Sequence, residues 1–162
     1  MAKVLTILHE PDPFLRRTMK PVTDPAAKEI KQLIDDMVLT MRKAKGIGLA
    51  ATQVGYDGRV IVIETKNGAL ACVNPEIVKT SNDKEPGEEG CLSVPGTYGF
   101  VERFKRVTVR SFDEKGQQQT HEAAGLLARV FQHEIDHLNG IVFIDKVEDF
   151  SGQDATENAV AI

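Results

Sequence analysis

The chain has only two cysteines, Cys72 and Cys91, in 162 residues. A secreted scaffold stapled by disulfides needs more, so both thiols read as free, in a reducing cytoplasm. Long apolar runs are missing as well. Neither Val4–Leu8, broken by Thr6, nor Val60–Ile63 approaches a signal peptide's apolar region or a membrane span. Excess positive charge is absent: 20 Lys and Arg stand against 24 Asp and Glu, a net charge of −4. That balance excludes a DNA binder working by neutralising many phosphates. There is no internal repeat and no low-complexity segment. What is present is an ordinary globular composition, 41% hydrophobic and 27% charged, in a length that suits one domain. We read that domain over residues 1–150, with a polar, aperiodic and loosely ordered tail over 151–162.

Four prolines between His9 and Pro25 mark an irregular arm. Asp24 looks like a helix N-cap with Pro25 at the first helical position. Ile30, Leu33, Ile34, Met37, Val38 and Met41 then recur at steps of three and four, the stripe of a long amphipathic helix stopped by Gly46. Arg59–Glu64 and Ala69–Val73 read as strands joined by a turn at Lys66-Asn67-Gly68, with Pro75–Thr80 a weaker third. Residues 81–90 read as an acidic loop. Lys105–Phe112 is another strand, and Gln117–Glu122 could pair back on it. A second helix is expected over Ala123–Asn139. It is apolar at Ala124, Leu127, Ala128, Phe131, Ile135 and Leu138 and also along Leu126 and Val130, so it is buried on most sides. Ile141–Asp145 reads as a short strand. The fold class is α+β: mixed antiparallel sheets around a buried central helix, plus the long N-terminal amphipathic helix.

The central helix carries His133-Glu134-Ile135-Asp136-His137. Histidines four apart project from one helix face and can reach one metal ion, while the Glu between them can take a proton from water at that ion. Burial strengthens the reading, because three buried titratable groups are costly unless a cation compensates. Two nitrogens leave the site incomplete. A third His beyond Gly140 is ruled out, since Phe143 stands at the needed position, and only Glu148 and Glu157 follow in the tail. The third ligand therefore lies upstream. Cys91 is the best candidate, preceded by a Gly that allows close approach; His9 and His121 are alternatives, with His121 read as a surface residue. Cys72 reads as a small buried hydrophobe. A third segment, Gly46-Ile47-Gly48-Leu49-Ala50-Ala51, mimics a dinucleotide fingerprint but follows a helix and leads into a strand, the reverse of the required context. It reads instead as a tight turn or a backbone-exposed loop lining a cleft, with the Gln53 amide as a donor.

Taken in order, GIGLAATQ over 46–53, EGCLS over 89–93 and QHEIDH over 132–137 resemble the three signature motifs of the peptide deformylases. Pro11–Arg16, Gly125–Arg129 and Leu138–Gly140 are similar to that family as well, and the resemblance spans residues 3–147. It implies a cytoplasmic, metal-dependent hydrolase that removes the formyl group from the N-terminal formyl-methionine of nascent polypeptides and releases formate. It further implies that Cys91, His133 and His137 bind one divalent ion, natively Fe(II), with Zn, Ni or Co able to replace it. Glu134 becomes the general base and later acid, and Gln53 with the Leu92 N–H the oxyanion donors. Gly48 and Gly90 hold the peptide backbone, and Ile47, Leu126 and Val130 with the His133 ring form the methionine pocket. Arg129 falls at that pocket's rim, Tyr98 stands where some members carry Arg, and Glu89 and Arg103 pair to brace the Cys91 loop. Some relatives dock on the ribosome through a basic C-terminal helix. Here Asp145, Glu148, Asp149, Asp154 and Glu157 face Lys146 alone, so the tail does not support docking. The rival reading is a small metallopeptidase or another amidase using the same metal and Glu134.

Overall fold

Val60-Ile61-Val62-Ile63 shows how the molecule is layered. In a strand, successive side chains point to opposite faces. Val60 and Val62 join a cluster with Ile30, Leu33, Ile34, Met37 and Met41, whereas Ile61 and Ile63 join a second cluster with Ala128, Val130, Phe131 and Ile135. The run is continuously apolar because both of its faces are covered. The first set of partners lies on helix α1 (Lys28–Lys43) and the second on helix α2 (Gly125–Leu138), so the strand is sandwiched between two helices.

This computed structural model describes residues 1–152 and 160–162. Among them, one five-stranded sheet runs β1 (Gly48–Ala50), β2 (Val60–Thr65), β3 (Gly68–Thr80), β6 (Arg106–Phe112) and β7 (Gln118–Ala124), all antiparallel. A four-stranded sheet runs β8 (Asp149–Gly152), β5 (Val94–Phe104), β4 (Lys84–Cys91) and β9 (Val160–Ala161), antiparallel except for the β4–β9 pair. The architecture is mixed α+β. Among the described residues, no helix is long and apolar enough to cross a membrane.

Several local expectations need correction. Helix α1 begins at Lys28, not at Pro25: the Asp24 carboxylate accepts from the Ala26 N–H in a turn ahead of the helix. The helix stops before Gly46. Lys45 takes the left-handed conformation at φ 60°, and the Gly46 N–H donates to the Met41 carbonyl while that of Lys45 donates to Arg42, closing the last turn. Pro75–Thr80 is not a separate strand. It continues β3 past a register shift at Asn74, whose side chain bonds the Val22 backbone in both directions. Residues 81–90 are mostly strand β4, in register with β5 from Lys84 to Gly90; main-chain pairing, not apolar patterning, makes it a strand. Ile141–Asp145 contains a short 3-10 turn at Phe143–Asp145 instead of a strand. The tail expected to be loosely ordered adds β8 and β9 to the second sheet at its described ends, again by backbone pairing, and Ile162 is fully buried. Asp154 and Glu157 lie outside the described residues.

Candidate metal centre and active site

Three chain segments converge below helix α2. Strand β4 ends at Cys91 and delivers a thiol; two turns of α2 deliver His133 and His137; the 3-10 turn Ala51–Val54 after β1 delivers Gln53. The Thr52 hydroxyl donates to the His137 carbonyl at 3.0 Å, tying that turn to α2. Candidate ligand atoms of Cys91, His133 and His137 all lie within 4.8 Å of one another, and all three residues are buried. Cys91 Sγ is 3.4 Å from His137 Nε2. His9 and His121, the other candidates for a third ligand, are not part of this cluster. His121, read as a surface residue, is half-buried and stacked on Phe131 with ring centroids 6.0 Å apart.

The lone pairs test whether a cation fits. His133 Nδ1 is bonded to Glu89 Oε1 at 2.8 Å, which orients the ring, while its Nε2 is buried without a partner among the described residues. His137 Nδ1 and both Glu134 oxygens are likewise buried and unpartnered. Buried polar atoms without partners are rare and costly. One sulfur and two imidazole nitrogens converging on one point are a donor set for a divalent transition metal, so the residues fit the ion. Burial holds Glu134 well above the usual carboxylate range, helped by the nearby charge of Glu89 and opposed by Arg103. Burial also holds His137 well below the usual imidazole range, reinforced by His133 and Arg103. The Cys91 thiol is pushed up to about 12 by burial, against backbone N–H groups of Ser93 and Val94 that pull it down. A cation beside these groups reverses such preferences and makes the thiol a thiolate.

Behind His133 stands a buried brace. Glu89 Oε1 takes the His133 contact and an Arg103 N–H at 3.0 Å; Oε2 takes Arg103 at 2.9 Å and Arg129 at 2.7 Å. Burial alone would raise the Glu89 carboxyl, but the bonds from His133 and Arg103 hold it well below the usual range. Arg103 also reaches Asp136 at 2.6 Å. The expected Glu89–Arg103 pair is thus present. Arg129, expected at the pocket rim, instead turns into the brace and donates to the Val101 and Glu85 carbonyls at 2.8 and 2.9 Å. Gly87 makes room for it, since a Cβ there would meet the guanidinium carbon at 2.5 Å. Sequence reading missed Glu89 as the partner of His133, and Arg129 and Asp136 as parts of the brace; only the step of two residues from Glu89 to Cys91 hinted at the first.

Gln53 is anchored by its own carbonyl, which accepts from the Ala50 N–H at 2.9 Å; its amide nitrogen then faces Ser93 Oγ at 3.1 Å and Cys91 Sγ at 3.6 Å. Gly48 lies against the general-base candidate: a Cβ there would meet Glu134 Oε1 at 2.7 Å. At Gly90 the Tyr98 ring fills the space a side chain would need. Ile47, Leu126 and Val130 line a cavity of about 630 Å³ together with Ile63, Leu70 and His121, and Leu126 is exposed at its mouth. Phe143, at the position where a third His would have been needed, stacks on His133 with centroids 6.0 Å apart.

A helix-borne His pair, a cysteine from a neighbouring strand and a buried unpaired Glu define a metal-dependent hydrolase. Residues 4–153 match the family model described as polypeptide deformylase. A peptide deformylase of Halothermothrix orenii is 52% identical over 89% of this chain and 94% of its own length; one of Desulforudis audaxviator is 47% identical over 88% and 93%. Among solved structures, the Thermotoga maritima peptide deformylase superposes with a TM-score of 0.87 at 42% identity, covering 90% of this chain and 99% of its own. That from Synechococcus elongatus, solved in complex with actinonin, gives 0.87 at 46% identity over 92% and 82%. The chain belongs to the polypeptide deformylase family.

Proposed function

We propose the following division of labour for removal of the formyl group from the N-terminal formyl-methionine of nascent polypeptides, with release of formate. Cys91, His133 and His137 hold one divalent ion, natively Fe(II), with Zn, Ni or Co accepted by the same donors. When bound, the ion acts as a Lewis acid and lowers the pKa of water. Glu134 takes the proton from the attacking water and returns it to the leaving amine. Its burial and its lack of partners favour this role, because a carboxyl held above its usual range takes up a proton more readily than an ordinary carboxylate. The Gln53 amide and the Leu92 N–H stabilise the oxyanion that forms on the formyl carbon. Gln53 is suited to this because its carbonyl is already engaged by Ala50, which fixes the amide's direction. Glu89, locked by Arg103 and Arg129, orients His133.

The peptide lies extended along the backbone around Gly48 and Gly90, with the methionine side chain against Ile47, Leu126, Val130 and the His133 ring. A formamide bears only hydrogen on its carbonyl carbon, so a narrow site admits it and excludes bulkier amides. The reading places the enzyme in a cytoplasm beside protein synthesis and assigns no ribosome-docking role to the acidic tail. The observation that carries it is the buried Cys91–His133–His137 cluster with Glu134 alongside. The test compares formyl-Met-Ala-Ser with acetyl-Met-Ala-Ser. Formate release from the first with little turnover of the second is expected; faster cleavage of the acetyl peptide supports a general amidase instead.

A further inference from the structure

Strand β9 lies in an unusual place. Val160 and Ala161 pair in parallel with Glu89 and Gly90, the two residues leading to Cys91. The Ile162 N–H donates to the Gly90 carbonyl at 3.0 Å, and the Leu92 N–H donates to the Ile162 carbonyl at 3.3 Å. On the other side, the Ile47 N–H donates to the Ala161 carbonyl at 3.4 Å. Ile162 is fully buried in the apolar cluster that contains Val130, with Ile47 packed against it. An extended piece of this chain therefore bridges the Gly46–Gly48 turn and the Cys91 strand, with its aliphatic side chain on the apolar side of the cleft.

Those contacts overlap the ones given above to an extended substrate: backbone around Gly48 and Gly90, the Leu92 N–H, and the Ile47–Val130 surface. A single Leu92 N–H cannot serve both at full strength, and one strand position holds one strand. We propose that Val160–Ile162 is an internal peptide ligand of the cleft, held in the strand position of the substrate and competing with it. The proposal rests on the substrate pose described under Proposed function. Isolated, so short a strand binds weakly; tethered to the same chain, it meets its groove at an effective concentration on the order of millimolar. Apparent substrate affinity then falls by the fraction of molecules whose cleft is open. The chemistry of the segment defines a ligand class as well: a short extended peptide with an aliphatic residue where Ile162 lies.

The test uses full-length variants. Ile162→Pro removes the N–H that bonds Gly90, and Ile162→Glu places a charge in an apolar site. Both are expected to lower KM for formyl-Met-Ala-Ser about three- to ten-fold at unchanged kcat. A labelled peptide with the sequence of residues 158–162 is expected to bind both variants and not the parent at the same concentration. Unchanged or raised KM in both variants, a fall in kcat and thermal midpoint at constant KM, or equal peptide binding to parent and variants overturns the proposal. If no version releases formate while the labelled peptide still discriminates variants from parent, the deformylase reading fails and the internal ligand stands.

Discussion

Two buried carboxylates flank His133, and they are treated in opposite ways. Glu89 and Glu134 are both fully buried. Each oxygen of Glu89 takes two contacts, from Arg103, Arg129 and His133, whereas neither oxygen of Glu134 has a partner among the described residues. Their environments push the two groups apart, Glu89 below and Glu134 above the ordinary carboxylate range. The contrast separates support from chemistry. A saturated carboxylate is a fixed charge that can only hold its neighbours still; an unsaturated one is free to move a proton.

Exchanging the two carboxylates for amides breaks the comparison most sharply. Glu134→Gln keeps the shape and removes the proposed proton carrier, so formate release should fall roughly 10³-fold. Metal content and thermal midpoint should stay at parent values, which elemental analysis and a thermal melt check. Glu89→Gln should act the other way round. It leaves Arg129 buried against a neutral group and Arg103 with Asp136 alone, a loss of about 3–5 kcal/mol of stability read from urea unfolding. A Glu134→Gln variant as unstable as Glu89→Gln would erase the distinction.

A finer probe moves Glu134 without changing it. In Gly48→Ala the added methyl meets Glu134 Oε1, for which only 2.7 Å is available, so kcat should drop by about 10- to 100-fold while the metal stays bound. The smallest effect belongs to ion pairs in open solvent. Arg110→Ala breaks the exposed pair with Glu76 and should change stability by no more than about 0.5 kcal/mol in the same urea assay, a reference against which the Glu89 effect is measured.

How far these features could be read in advance depended on whether the signal was local. The His133–His137 spacing and the apolar stripe of α1 are periodic within one segment, so they were legible. Cys91 as a candidate ligand was legible only indirectly, from the want of a ligand downstream and the Gly before it; the three motifs in order strengthened it. Strands β4, β5, β8 and β9 were hidden because their pairing is a contact between distant stretches whose side chains alternate poorly. Arg129 shows the same limit. Its aliphatic stem suited a pocket rim, and only the space over Gly87 and the Glu89 oxygens explains why it turns into the brace. Ile162 belongs with them: the apolar run Ala159–Ile162 closing an otherwise polar tail was its one local signal, too short to say what buries it.

The central claim is that one cation is held jointly by Cys91, His133 and His137, with Glu134 needed for turnover and not for holding it. Anaerobic metal analysis of the parent, Cys91→Ala and Glu134→Gln, run beside formate release from formyl-Met-Ala-Ser, tests it most directly. The account predicts one ion per chain in the parent and in Glu134→Gln, activity only in the parent, and neither metal nor activity in Cys91→Ala. A full complement of metal in Cys91→Ala would contradict it.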